Sequence, residues 1–173
     1  MKKKAHIILG IDPGTRITGY GIIKLDGGVI SPIDFGCIKP PPKYDLQQRY
    51  LIIFEGVEEL IQKYQPDSLA VETQFMQKNA QSAFKIGMAR ASATLAASKK
   101  GITVHEYAPR KAKLAVVGTG SASKEQVQRM MQKLLGLKEI IKPQDAADAL
   151  ALAFCHAHQI QFEQRIKGKN ANV

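Results

Sequence analysis

The sequence has no tryptophan and only two cysteines, and its 15 acidic residues are well outnumbered by 25 Lys and Arg. Cys37 and Cys155 are too far apart for a CxxC pair and too few for a disulfide framework, which excludes a disulfide-built secreted scaffold and points to a reducing cytosol. Long apolar runs are also missing. The Ala-rich segment near the C-terminus is broken by Asp148, so nothing approaches the roughly 18 apolar residues of a membrane span. Lys2, Lys3 and Lys4 before the apolar run 7–11 imitate a secretory signal, but Asp12 and Pro13 end that run too early for one.

What is present is a globular composition. An apolar fraction of 45% and a charged fraction of 23% in 173 residues predict a real core rather than a disordered polycation. A chain of this size can bury about 70% of the surface its unfolded form exposes. We therefore expect one domain over 1–173 with short loose ends at about 1–4 and 165–173. The net charge of +10 must lie outside that core, where it attracts nucleic acid or, less specifically, an anionic membrane surface.

The pattern along the chain predicts an α/β fold. A β-branched run at 6–11 reads as a buried strand, followed by strands at 19–25 and 29–38 joined by the turn residues Asp26, Gly27 and Gly28. After Pro40, Pro41 and Pro42 the apolar residues Leu46, Tyr50, Ile53, Phe54, Val57, Leu60 and Ile61 recur at helical spacing behind Asp45 as N-cap. Strands at 68–72 and 103–107 flank a helix at 79–99, and helices follow at 109–117, 124–135 and about 143–161. Tight connections make the first three strands antiparallel, and helical crossovers make the first, fourth and fifth parallel, giving a five-stranded mixed sheet flanked by helices.

Asp12 and Glu72 end parallel neighbouring strands, so both carboxylates leave the same sheet edge, where α/β folds bind ligands. Asp145 and Asp148, three apart at the start of the last helix, stack on one face among small alanines. Like charges at that spacing oppose the helix unless a cation lies between them, and a hard divalent ion with oxygen ligands is the obvious one. Magnesium, with a few carboxylates, waters and a substrate phosphate, suits phosphodiester hydrolysis. Each acid also has a plainer explanation: Asp12 opens a turn, Glu72 ends a strand, and Asp145 favours the helix dipole. On the residues alone both readings stand.

The segments GIDPGTRITGYGII, AVETQFMQKNAQSAFKIGMARA, VVGTGSASKEQV and PQDAADALALAFCHAH, in this order, resemble the RuvC family of Holliday junction resolvases across nearly all of 7–158. One departure is Ala91, where the family usually has glycine after Ala89 and Arg90. The resemblance implies a ribonuclease H-like fold and Asp12, Glu72, Asp145 and Asp148 as catalytic metal ligands for Mg2+, with Mn2+ as a substitute. It further implies a cytoplasmic homodimer that nicks two strands of a four-way DNA junction symmetrically, leaves 5′-phosphate ends, and works with RuvA and RuvB.

Lys113 and Lys124 flank the loop Gly118, Thr119, Gly120 and Ser121, and match family positions that contact DNA and support catalysis. A lysine near the scissile phosphate can stabilise developing negative charge. Lys78, Lys85 and Arg90 add candidate DNA contacts on or before the second helix, although most such charges are simply solvated faces. Phe75, three residues past Glu72, reads either as a staple on the following helix or as a wedge that stacks on a base, and the resemblance favours the wedge. The small residues Ala80, Ala83, Gly87, Ala91 and Ala93 suit a central helix or a dimer seam, and a two-fold dimer matches a four-way junction.

Other signals are weaker. Asp34, Phe35 and Gly36 spell a kinase motif in a chain too short for a kinase. His156 and His158 do not share a helix face, and Cys155, His6 and His105 read as structural. Two other functions compete. A junction-binding module without chemistry would not need all four acids. An actin-like ATPase, suggested by GIDPGT, needs a second half for which 173 residues leave no room.

Overall fold

A computed structural model of the chain describes residues 5–73 and 79–170, with side chains as far as Lys167. Its elements follow the order β1 (His6–Asp12), β2 (Thr18–Asp26), β3 (Val29–Ile38), α1 (Leu46–Tyr64), β4 (Ser68–Glu72), α2 (Ala80–Lys99), β5 (Thr103–Tyr107), α3 (Pro109–Val117), α4 (Lys124–Leu134) and α5 (Gln144–Asn170). The sheet order is β3-β2-β1-β4-β5, with β1 antiparallel to β2 and parallel to β4. The two-residue turn between β2 and β3 has Gly27 and Gly28 at φ of 57° and 93°, a left-handed conformation that side chains resist.

Alternation along the strands sorts their side chains between two layers. In β1, Ile7, Leu9 and Ile11 join Leu69 and Val71 of β4 under α1 and α2, while Ile8 and Ala70 face α5. By the same parity Asp12 and Glu72 fall on the α5 side. The helices are cut for this arrangement. Asp45 and Gln48 form a reciprocal cap at the start of α1, and the buried Ile53, Val57 and Ile61 keep helical spacing on its inner face. In α2 the buried residues are Ala89, Ala93, Ala96 and Ala97. These four alanines seat the helix on the body of the protein, and of the small residues singled out in the sequence only Ala93 is among them, while Phe84, Met88 and Leu95 remain exposed on the opposite stripe.

α5 lies on the sheet at unusually short range. A Cβ added to Gly10 would come within 2.0 Å of the Ala149 carbonyl oxygen, and one added to Gly19 within 2.0 Å of the Asp145 carbonyl oxygen. Alanines 146, 149 and 153 complete this close approach from the helix side, each fully buried. The helix is also longer than its core pattern predicts. Beyond Gln161 it continues to Asn170, so 165–170 is helical where the sequence suggested a loose end. Among the described residues no helix is long and apolar enough to cross a membrane.

Candidate active site

The loop after β1 is braced by Thr18, a fully buried residue whose hydroxyl donates to the Gly14 carbonyl at 2.8 Å and accepts from the Gly14 amide at 3.3 Å. That brace fixes the backbone leaving Asp12. The register pairs Ile11 with Val71, so the next residues on the parallel strands, Asp12 and Glu72, are neighbours at one sheet edge. Strands stand about 4.8 Å apart, which brings the carboxylates within strong mutual influence. Over this edge lies the N-terminal turn of α5, with Asp145 in its first turn and Asp148 one turn further.

Electrostatics records the convergence. Burial, then the charges of Asp148 and Glu72, push the Asp12 carboxyl up to about 8, with a further push from Asp145 and an opposing pull from Lys124. The Glu72 carboxyl is also raised, by burial and then Asp148, against Lys124 and Lys113. Four acids and two lysines therefore share one electrostatic neighbourhood. Lys124 Nζ lies 2.9 Å from Asp148 Oδ2. Lys113 Nζ donates to the Ala122 carbonyl at 2.7 Å, tying the loop before α4 to α3. At the start of α4, Ser123 and Gln126 form a capping box, and Gln144 reaches Glu125 at 3.4 Å, so the first turns of α4 and α5 are linked.

The donors are all hard oxygens in a desolvated, net negative recess, which fits a divalent cation in kind and in charge. Among the described residues no three acid, histidine or cysteine side chains stand close enough together to hold a metal ion in this arrangement.

The other sequence candidates are distributed differently. Lys85 is exposed on α2 next to Phe84. The Arg90 guanidinium is ion-paired with Glu106 of β5 rather than standing free. Phe75 and Lys78 lie outside the described residues. In the loop 118–121, Gly118 closes α3 at φ of 80°, and the Thr119 and Ser121 hydroxyls are 3.0 Å apart and exposed.

The model of the family described as crossover junction endodeoxyribonuclease RuvC matches residues 8–156. The chain belongs to the RuvC family. Among RuvC relatives, the protein of Protochlamydia amoebophila is 60% identical over 91% of this chain and 94% of its own length. That of Marinobacter nauticus is 51% identical over 96% of this chain and 94% of its own length. The structure of Thermus thermophilus RuvC in complex with a Holliday junction substrate is similar at a TM-score of 0.85, with 33% identity, covering 91% of this chain and 96% of that one. The yeast mitochondrial Holliday junction resolvase, at 12% identity and a TM-score of 0.70, covers 96% of this chain and 84% of its own and shares the fold.

Sequence reasoning missed two features of this region. The Lys113 contact goes to a backbone carbonyl, which no side-chain pattern advertises. Away from the acids, beneath α5, His105 stacks on His156 with ring centroids 4.1 Å apart, and the Tyr107 hydroxyl lies 2.6 Å from His156 Nδ1. His6 Nε2 lies 3.0 Å from Ser68 Oγ at the edge of the same group. His6 and His105, read separately as structural in the sequence, are half-buried and join the buried His156 in one cluster.

Proposed function

We propose that this chain resolves four-way DNA junctions by paired symmetric nicking, a metal-assisted phosphodiester hydrolysis serving recombination and repair. The observation that carries the reading is the convergence of Asp12 and Glu72 from the sheet with Asp145 and Asp148 from α5, beside Lys113 and Lys124, in a chain of net charge +10. Asp12, Glu72, Asp145 and Asp148 would hold the divalent cation, with Mg2+ the natural choice for an oxygen-only set and Mn2+ a substitute. When bound, the cation supplies activation of a water and stabilisation of the leaving 3′ oxygen.

The chain's own residues do the rest. Asp12 and Glu72, fixed by strand register and the Thr18 brace, give the recess one rigid wall, and α5 gives the other. Lys124, on the rim, is placed to meet a phosphate oxygen as negative charge develops there. Phe75 and Lys78 keep their sequence-based roles as wedge and backbone contact, and Lys85 and Arg90 as outer contacts. Most contacts would be to phosphate, so junction affinity should fall steeply with salt.

Two active sites are needed for paired nicks. The stripe of Phe84, Met88 and Leu95 on α2 leaves large apolar side chains 69%, 40% and 61% exposed, and a second copy of the chain is the partner that covers it in a two-fold dimer. Family membership supports RuvA and RuvB as further partners and the cytoplasm as the place of action. The deciding experiment is cleavage of a synthetic mobile junction in Mg2+, Mn2+ or Ca2+. The wild type should give symmetric paired nicks with Mg2+, and Asp12→Asn should bind the junction without cutting it. Cutting by Asp12→Asn would overturn the assignment of the site.

A further inference from the structure

Lys124 occupies a position that helix energetics disfavours. It is the first residue of α4, where the positive end of the helix dipole repels a cation, and the Ser123 capping box fixes that helix start. Its ammonium nevertheless turns to Asp148, at 2.9 Å. The pair joins an exposed ammonium to a largely buried carboxylate, so the lysine acts chiefly as charge compensation for that carboxylate rather than as a support of the helix start. The account lies in what the lysine faces. Asp12 and Glu72 end neighbouring strands at one sheet edge, α5 brings Asp148 to the same end of the molecule, and Lys124 is the cation that the chain itself sets against them, 2.9 Å from Asp148.

We propose that Lys124 is the resident counter-ion of the acid cluster, exchanged for the incoming divalent cation and thereby released to the substrate phosphate. This rests on the reading in which these acids hold such a cation. The two partners differ in the way an exchange requires. The Asp148 side chain is 18% exposed and anchored on α5, whereas that of Lys124 is 55% exposed on the rim. The oxygen that accepts from the ammonium is a donor that a metal ion would recruit, and the two cations compete for it. The lysine does not travel far when it lets go. Lys113, through the Ala122 carbonyl, holds the preceding loop against α3, and the Glu125–Gln144 contact holds the start of α4 against α5. The freed ammonium therefore stays at the rim, where a phosphate bound to the ion would lie. Metal binding and the arming of this lysine become one event.

The test is calorimetric titration of Ca2+ and of Mg2+ into the DNA-free full chain, with Lys124→Met and Lys124→Arg beside wild type. Lys124→Met should bind either ion more tightly, by roughly tenfold, the scale of removing one partly screened charge near a divalent ion. Lys124→Arg, which keeps the charge, should stay close to wild type. In Ca2+, junction binding by Lys124→Met should weaken although its metal affinity has risen, a split that a merely structural role would not produce. Thermal melts establish that both variants fold, and Lys124→Gln replaces any that does not. Equal or weaker ion binding by the neutral variants overturns the proposal, as does a wild type that binds neither ion. If the wild type still nicks junctions with Mg2+, only the counter-ion role falls; if it neither binds the ion nor nicks, the proposed function falls as well.

Discussion

The Asp12 carboxyl loses its proton only near pH 8 in the folded chain, against an ordinary value of 3.8. Between those limits the folded state binds a proton that the unfolded state does not, so the Asp12 contribution to stability falls as pH rises through that window. Asp12→Asn removes the liability. Without metal, its melting temperature should exceed that of wild type by a margin that is absent near pH 4, grows towards pH 8 and then levels; a margin constant with pH would count against the buried-charge account. Gly19 answers to a different constraint. Its missing side chain makes room for the Asp145 carbonyl oxygen, and Gly19→Ala should destabilise by about 1–3 kcal/mol, the usual scale of overpacking, while displacing the start of α5. A melt and a junction-cleavage assay check the two halves of that expectation. The acids themselves were legible in the sequence because each sits at a local boundary, a strand end or a helix start, that residue spacing reveals. The use Lys113 makes of a backbone carbonyl was not, because it depends on how a loop folds back.

At the scale of elements, α5 ties the acid end of the molecule to the histidine cluster. Burial first, then His105 and His6, lower the His156 pKa to about 3, so this imidazole is neutral in the folded protein at neutral pH. The unfolded chain takes up its proton below about 6.5, so the stability His156 contributes is intact above that pH and is lost progressively as pH falls towards 3. Relative to His156→Gln, the wild type should lose stability through this window, as denaturant titrations at pH 7 and pH 4.5 would show. An unchanged difference would refute the role. Strand order and most helix boundaries were readable because apolar period and turn residues are local signals. The cluster was not, since it needs β1, β5 and α5 brought together from distant parts of the chain. The C-terminal extension of α5 was hidden for a related reason. Past Gln161 the helix leaves the core, and with no face to bury it carries little apolar pattern.

For the whole molecule, the exposed α2 stripe and the acid recess imply that assembly and activity separate by mutation. Leu95→Glu places a charge on a side chain that is 61% exposed in the single chain and lies on the face assigned to the second copy. Sedimentation should show a shift towards monomer, and junction cleavage should lose its paired character while the melting temperature of the monomer changes little. A variant that remains dimeric would place the two-fold contact elsewhere. The close seating of α5 has one more consequence. Where the helix crosses Gly10 and Gly19, the gap between the sheet acids and the helix acids is set by main chain against main chain, with no side chain as a spacer. Surface drift elsewhere in the chain leaves such a gap untouched, as wear on a tool's handle leaves the setting of its jaws, so sequences can diverge widely around a cutting edge whose dimensions stay the same.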